Sequence, residues 1–150
     1  MQSIKQSLQQ LCREYLITKI DQTEKAMEEA QLAANNETKS SAGDKHETGR
    51  AMMQLEIEKY SKQLTEWLKT LKILDNIDAA KPCRIVSAGA LVFCSSGNYY
   101  ISVAAGKLKY EGQNYYAISA ASPIGALLMG QTVGGTVEFR EQRIVVNEVY

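Results

Sequence analysis

A chain of 150 residues, 45% hydrophobic and 23% charged, has the make-up of a folded protein and not of a disordered one, with length for one ordinary domain or two small ones. Basic and acidic residues balance at 17 each, and cutting at Pro82 leaves 12 basic and 13 acidic residues before it and 5 basic and 4 acidic after it. No segment therefore carries the basic excess from which a nucleic-acid binder draws most of its affinity, and protein partners are expected instead. The first residues lack the apolar stretch of a signal peptide, and no run approaches the roughly 18 apolar residues that span a bilayer, so the expected location is cytoplasmic, away from membranes. Cys12, Cys83 and Cys94 are odd in number, widely spaced and not arranged as CxxC, which suggests reduced thiols and neither a disulfide framework nor a zinc site.

From residue 2 to about 35 there is no Pro or Gly, and Gln, Leu, Lys, Glu and Ala dominate, so local propensity favours helix. Ile4, Leu8, Leu11 and Tyr15 alternate in steps of four and three. Leu16, Ile20, Met27, Ala30 and Ala34 continue that spacing after a one-residue shift, with Thr23 in the missing place: a coiled-coil seam with one stutter. Residues 35–43 lose the apolar period and read as a tight connection. From Asp44 helix resumes, and Met53, Ile57, Tyr60, Leu64, Trp67, Leu71 and Leu74 form a heptad over seven successive core positions. Two helices of similar length on a short connection bury their seams by running antiparallel, which predicts a coiled-coil hairpin over 1–79. Residues 4–34 at 1.5 Å each make an arm of about 46 Å. Such an arm suits either dimerisation or a function that needs reach.

After Pro82 the period changes to two, with short strands expected at 84–86, 90–94, 99–104, 115–119, 136–139 and 143–149 and hairpin turns at 95–98 and 111–114. A short helix is expected between the fourth and fifth strands, with Ser122 as N-cap, Pro123 at its first position, an interior of Ile124, Leu127, Leu128 and Met129, and Gly130 as the stop. The second domain, 83–150, is thus an antiparallel sheet with one helix, and the fold class is α+β.

Residues 122–137, Ser-Pro-Ile-Gly-Ala-Leu-Leu-Met-Gly-Gln-Thr-Val-Gly-Gly-Thr-Val, resemble the C-terminal signature of the Gre transcription elongation factors, in which an SPIG-type helix start leads through an apolar turn to a V-G-x-x-V strand. That family joins a long antiparallel coiled coil to an FKBP-like β domain, so the resemblance covers nearly the whole chain. At the hairpin tip the family pattern is similar to G-D-x-x-E-N-A-E-Y, and Gly43, Asp44 and Glu47 match it. Thr48, Arg50 and Ala51 depart from it, and Gly135 stands where the family usually has Asp.

The resemblance implies a factor that binds RNA polymerase, inserts its tip into the secondary channel and contributes Asp44 and Glu47 to a magnesium site shared with the polymerase. There the polymerase would cleave the 3′ end of backtracked RNA, and the chain would be no enzyme by itself and would hold no cofactor of its own. Mg²⁺ suits such a part-site, since it takes hard oxygen ligands and is often held by one or two protein carboxylates. Asp44 is the better metal contact and Glu47, one turn later, the better water-positioning group. The same D-x-x-E spacing also reads as a capping box at the start of a helix. His46, the sole histidine, lies between the acids beside Lys45 and reads as solvated more readily than as a ligand.

Trp67 and Tyr60 read as seam residues, and Tyr99, Tyr100, Tyr115 and Tyr116 as cross-strand pairs. Three other functions compete: a Gre-like regulator that occupies the channel without stimulating cleavage, a prolyl isomerase, and a self-associating scaffold. The first is favoured by the altered tip. The second needs an aromatic pocket in a domain with only Phe93 and Phe139 as phenylalanines, and the third conflicts with the expected monomer. No Gly-rich phosphate loop or GxSxG is present, so triad and phosphate-loop chemistry is not indicated.

Overall fold

The computed structural model describes residues 1–39 and 44–150, with side chains described for 1–36 and 47–150. Two long helices, α1 (Gln2–Lys39) and α2 (Asp44–Asp75), precede the strands β1 (Leu91–Cys94), β2 (Gly97–Ser102), β3 (Gly106–Tyr110) and β4 (Gln113–Ser119). A short α3 (Pro123–Leu128) then leads to β5 (Thr136–Phe139) and β6 (Gln142–Val149). The architecture is α+β. The chain divides into two compact units, and the division cuts across the helices: one unit holds residues 1–15 and 71–150, the other 16–70.

In the 16–70 unit α1 buries Leu16, Ile20, Thr23, Ala30 and Ala34. On α2 the heptad residues Met53, Ile57, Tyr60, Leu64 and Trp67 are each half-buried between exposed neighbours, the signature of one packed stripe. The Thr23 hydroxyl donates to Lys19 O at 2.7 Å, so a polar group sits in the seam without an unmet hydrogen bond. Residues 19–26 of α1 and 60–70 of α2 line one groove of about 580 Å³ where small Thr23 and Ala26 leave space beside Tyr60 and Trp67.

In the other unit the start of α1 departs from the expected seam. Lys5, Leu8 and Cys12 are buried, whereas Ile4, Leu11 and Tyr15 are half-buried. The buried positions 5, 8, 12, 16, 20 and 23 are spaced by three or four throughout, with no one-residue shift, because a lysine and a cysteine occupy places that an apolar count passes over. Lys5 is only 1% exposed; its Nζ donates to Lys81 O at 2.6 Å and lies 3.8 Å from Cys83 Sγ. A buried ammonium needs such a partner.

The six strands form one sheet in the order β3-β4-β2-β1-β6-β5. Every pairing is antiparallel except β2 with β4, which is parallel. The expected all-antiparallel sheet is therefore corrected: β3 forms the edge and β4 returns between it and β2. The sequence pattern passes over β3 because its alternation rests on Leu108 and Tyr110 alone, with Lys107 and Lys109 exposed, as suits an edge strand. The strand expected at 84–86 does not form. Val86 instead accepts from Gly130 N at 2.8 Å and donates to Gln131 O at 2.9 Å, tying the loop after α3 to the segment before β1.

The sheet has two covered faces. Val92, Cys94, Ile101, Val137, Ile144 and Val146 pack with Val86 and with Leu128 of α3 on one side. On the other, Tyr100 and Ser102 meet α1, the Tyr100 hydroxyl on Gln9 and the Ser102 hydroxyl 3.7 Å from the Cys12 thiol. Cover on both faces accounts for the wholly apolar run of β1, Leu-Val-Phe-Cys.

Candidate functional site

The start of α3 is the best-defined local motif. Ser122 is extended (φ −64°, ψ 157°), and its hydroxyl accepts from Gly125 N at 3.1 Å and donates to Ser119 O at 2.7 Å. Pro123 takes the first helical position, where a missing N–H costs nothing. Gly125 is demanded by packing: a Cβ there would stand 2.1 Å from Ser119 O and 2.7 Å from Ser122 Oγ. The Ser-Pro-Ile-Gly run thus has one physical reason for each of Ser, Pro and Gly. Leu128 is the core residue of this helix, whereas Leu127 and Met129 are exposed, because six residues bury a single face.

Downstream, Gly130 and Gly134 adopt φ of 82° and 88°, and Gly134 N donates to Val146 O at 2.8 Å. Gly135 is less confined than Gly125: a Cβ there would fall 2.5 Å from Gln131 Oε1, the end of a side chain that can swing aside, and 3.0 Å from Thr132 O.

Glu47 lies on the first turn of α2 and is exposed. Asp44 is the first residue of that helix; its side chain, like that of His46, lies outside the described residues. Arg50, three residues after Glu47, is exposed too, which sets a cation one turn from the acid. An exposed carboxylate at the start of a long helix fits a donated magnesium ligand in kind, being a hard oxygen donor free of burial. Among the described residues no group of three or more His, Cys, Asp or Glu stands together in a way that could hold a metal ion.

Compared with known proteins, the chain matches no protein-family model and no curated protein.

The remaining aromatic residues divide by role. Tyr99 and Tyr116 pair across β2 and β4 with ring centroids 6.1 Å apart, as the alternation predicts. Tyr100 is fully buried and its phenol is pushed well above its ordinary range, chiefly by burial and further by the neighbouring Cys12 and Cys83. Phe93 and Tyr115 meet edge to face at 6.3 Å, as do Phe93 and Tyr150 at 5.8 Å. Phe93 and Tyr115 line a recess together with Tyr110, which counting phenylalanines does not foresee, since two of its three rings are tyrosines from β3 and β4.

Proposed function

We propose that the chain is a Gre-type factor that binds RNA polymerase in the cytoplasm and offers Asp44 and Glu47 from the tip of its helical hairpin to the polymerase active site. The observation that carries this reading is the Ser122–Gly125 turn, whose serine, proline and glycine each have a structural reason, set behind a long helical pair. The exposed position of Glu47 on the first turn of α2 supports it further.

Glu47, with Asp44, would hold the shared magnesium. When bound there, the ion neutralises charge on the attacking and leaving oxygens. The part played by this chain is positional: a helix start carries the carboxylates in, and Glu47 orients a water by accepting its hydrogen bond.

A second reading rests on Arg50. An exposed guanidinium one turn from Glu47 lowers the local negative potential, which favours a protein that occupies the channel without promoting cleavage. RNA cleavage in a stalled, backtracked complex of the matching polymerase tests both. Stimulation by the native protein, lost in Asp44→Ala/Glu47→Ala with binding retained, supports the donated site. Binding without stimulation supports the channel-occupying regulator, and absence of binding removes both.

A further inference from the structure

The recess lined by Phe93, Tyr110 and Tyr115 lies on the sheet face that also meets α1, and strand register explains how it forms. Leu108 pairs with Tyr115 and Tyr110 with Gln113 across β3 and β4, while Phe93 pairs with Glu148 across β1 and β6. Paired residues share a face of the pleat, so one side collects Phe93, Tyr110, Tyr115 and Glu148. The volume is about 400 Å³, with Ile4 of α1 closing one side and Glu111 of the β3–β4 turn at its rim. Glu111 is set there by the turn itself, where it and Gly112 both take positive φ, 49° and 79°.

The side-chain charges lining the recess are one-sided, and Met1 lines it as well. The lining includes two carboxylates, Glu111 and Glu148, and no lysine, arginine or histidine. The Tyr150 hydroxyl donates to Glu148 Oε2 at 2.5 Å and steadies that carboxylate next to Phe93, whose ring meets the Tyr150 ring at 88°. Tyr115 is 3% exposed, and its phenol is raised first by burial and then by the Glu111 and Tyr110 charges, so the ring stays neutral around pH 7 and keeps its π face intact. Aromatic faces attract cations through their quadrupole, and carboxylates at the rim add charge-assisted hydrogen bonds.

We propose that this recess is a receptor for an arginine side chain of a protein partner. A guanidinium is planar and weakly hydrated, stacks on aromatic rings and bonds carboxylates two-pronged, which matches perpendicular aromatic walls with carboxylates at the edge better than a compact ammonium does. A proline ring would use the walls and bring no donor to either carboxylate, leaving Glu148 with Tyr150 alone. The proposal is independent of the hairpin tip and of the polymerase reading.

The test is an NMR titration of the full chain, following the ring protons of Phe93, Tyr110 and Tyr115. The probes are N-acetyl-arginine methylamide, its neutral isostere N-acetyl-citrulline methylamide, and N-acetyl-proline methylamide. The expected result is saturable shifts confined to these rings with arginine, and binding about fivefold weaker with citrulline. Glu111→Gln/Glu148→Gln, at two exposed positions, is expected to weaken arginine binding by a similar factor while leaving the rest of the spectrum in place. Citrulline or proline binding as tightly as arginine overturns the proposal, and so does the absence of saturation up to about 50 mM. Arginine affinity unchanged in the double variant overturns it as well.

Discussion

The Tyr100 hydroxyl donates to Gln9 Oε1 at 2.6 Å, joining the centre of the sheet to the first helix. The Gln9 amide in turn donates to Leu74 O at 2.8 Å and to Ile77 O at 3.3 Å, where α2 ends. One glutamine thus satisfies a buried phenol and two carbonyls. Tyr100→Phe keeps the ring and removes the donor, and is expected to cost about 1–3 kcal/mol in urea denaturation. Gln9→Ala, which strands the phenol and takes a donor from both carbonyls while Leu74 O still accepts from Ile77 N, is expected to cost more than Tyr100→Phe.

Gly125→Ala sets a methyl against the Ser119 carbonyl, a backbone atom that cannot swing aside. The expected loss is about 2–4 kcal/mol, against about 1 kcal/mol for Ser122→Ala, which removes only the cap. Thermal unfolding of both variants checks the order; equal losses would mean that the helix start shifts freely.

The β5–β6 turn places Arg140 and Glu141 at φ of 51° and 64°, a left-handed pair with side chains that do not favour it. Replacing the pair by Asn-Gly is expected to stabilise the protein by about 1 kcal/mol. A rise in the urea midpoint at unchanged slope is the sign to look for.

Burial pushes the thiols of Cys12 and Cys94 up from the ordinary 9.0 to about 11, the Ser102 hydroxyl partly opposing this at Cys12. The folded state therefore holds these protons more tightly than the unfolded chain does. Stability from this source is fully present below the ordinary thiol value and falls as the pH rises through 9 to 11, and Tyr100 acts in the same sense at higher pH. Urea midpoints at pH 7, 9 and 10 are expected to decline over that span, with a shallower decline in Cys12→Ala/Cys94→Ala. Native-state alkylation near neutral pH is expected to spare both thiols and to reach half-buried Cys83 first.

The parts of the fold legible in the sequence are those where one period rules. The α2 heptad from Met53 to Trp67 shows in full as a half-buried stripe, and Ser122 and Pro123 cap α3 as their chemistry demands. Where two partners compete for one element, the pattern misleads. The start of α1 packs on the sheet as well as beside α2, so Lys5 and Cys12 go inside and Ile4 stays at the edge. The parallel β2–β4 pair is set by where β3 is placed, a long-range choice that no local alternation encodes. Asp44 and Glu47 are conspicuous by spacing and family resemblance, and Glu47 lies exposed on the first turn of α2. The aromatic recess is not legible in the sequence because its rings come from three strands, β1, β3 and β4, whose register only folding defines.

The unit that contains the sheet is assembled from the first fifteen residues and the last eighty, with residues 16–70 spliced between them. In evolutionary terms the helical segment is a cassette. Its length can change by whole heptads, keeping the seam in phase, while Lys5 still finds Lys81 and Gln9 still finds Tyr100. A lineage could thus lengthen or shorten residues 16–70 without redesigning the contacts that close the sheet-bearing unit.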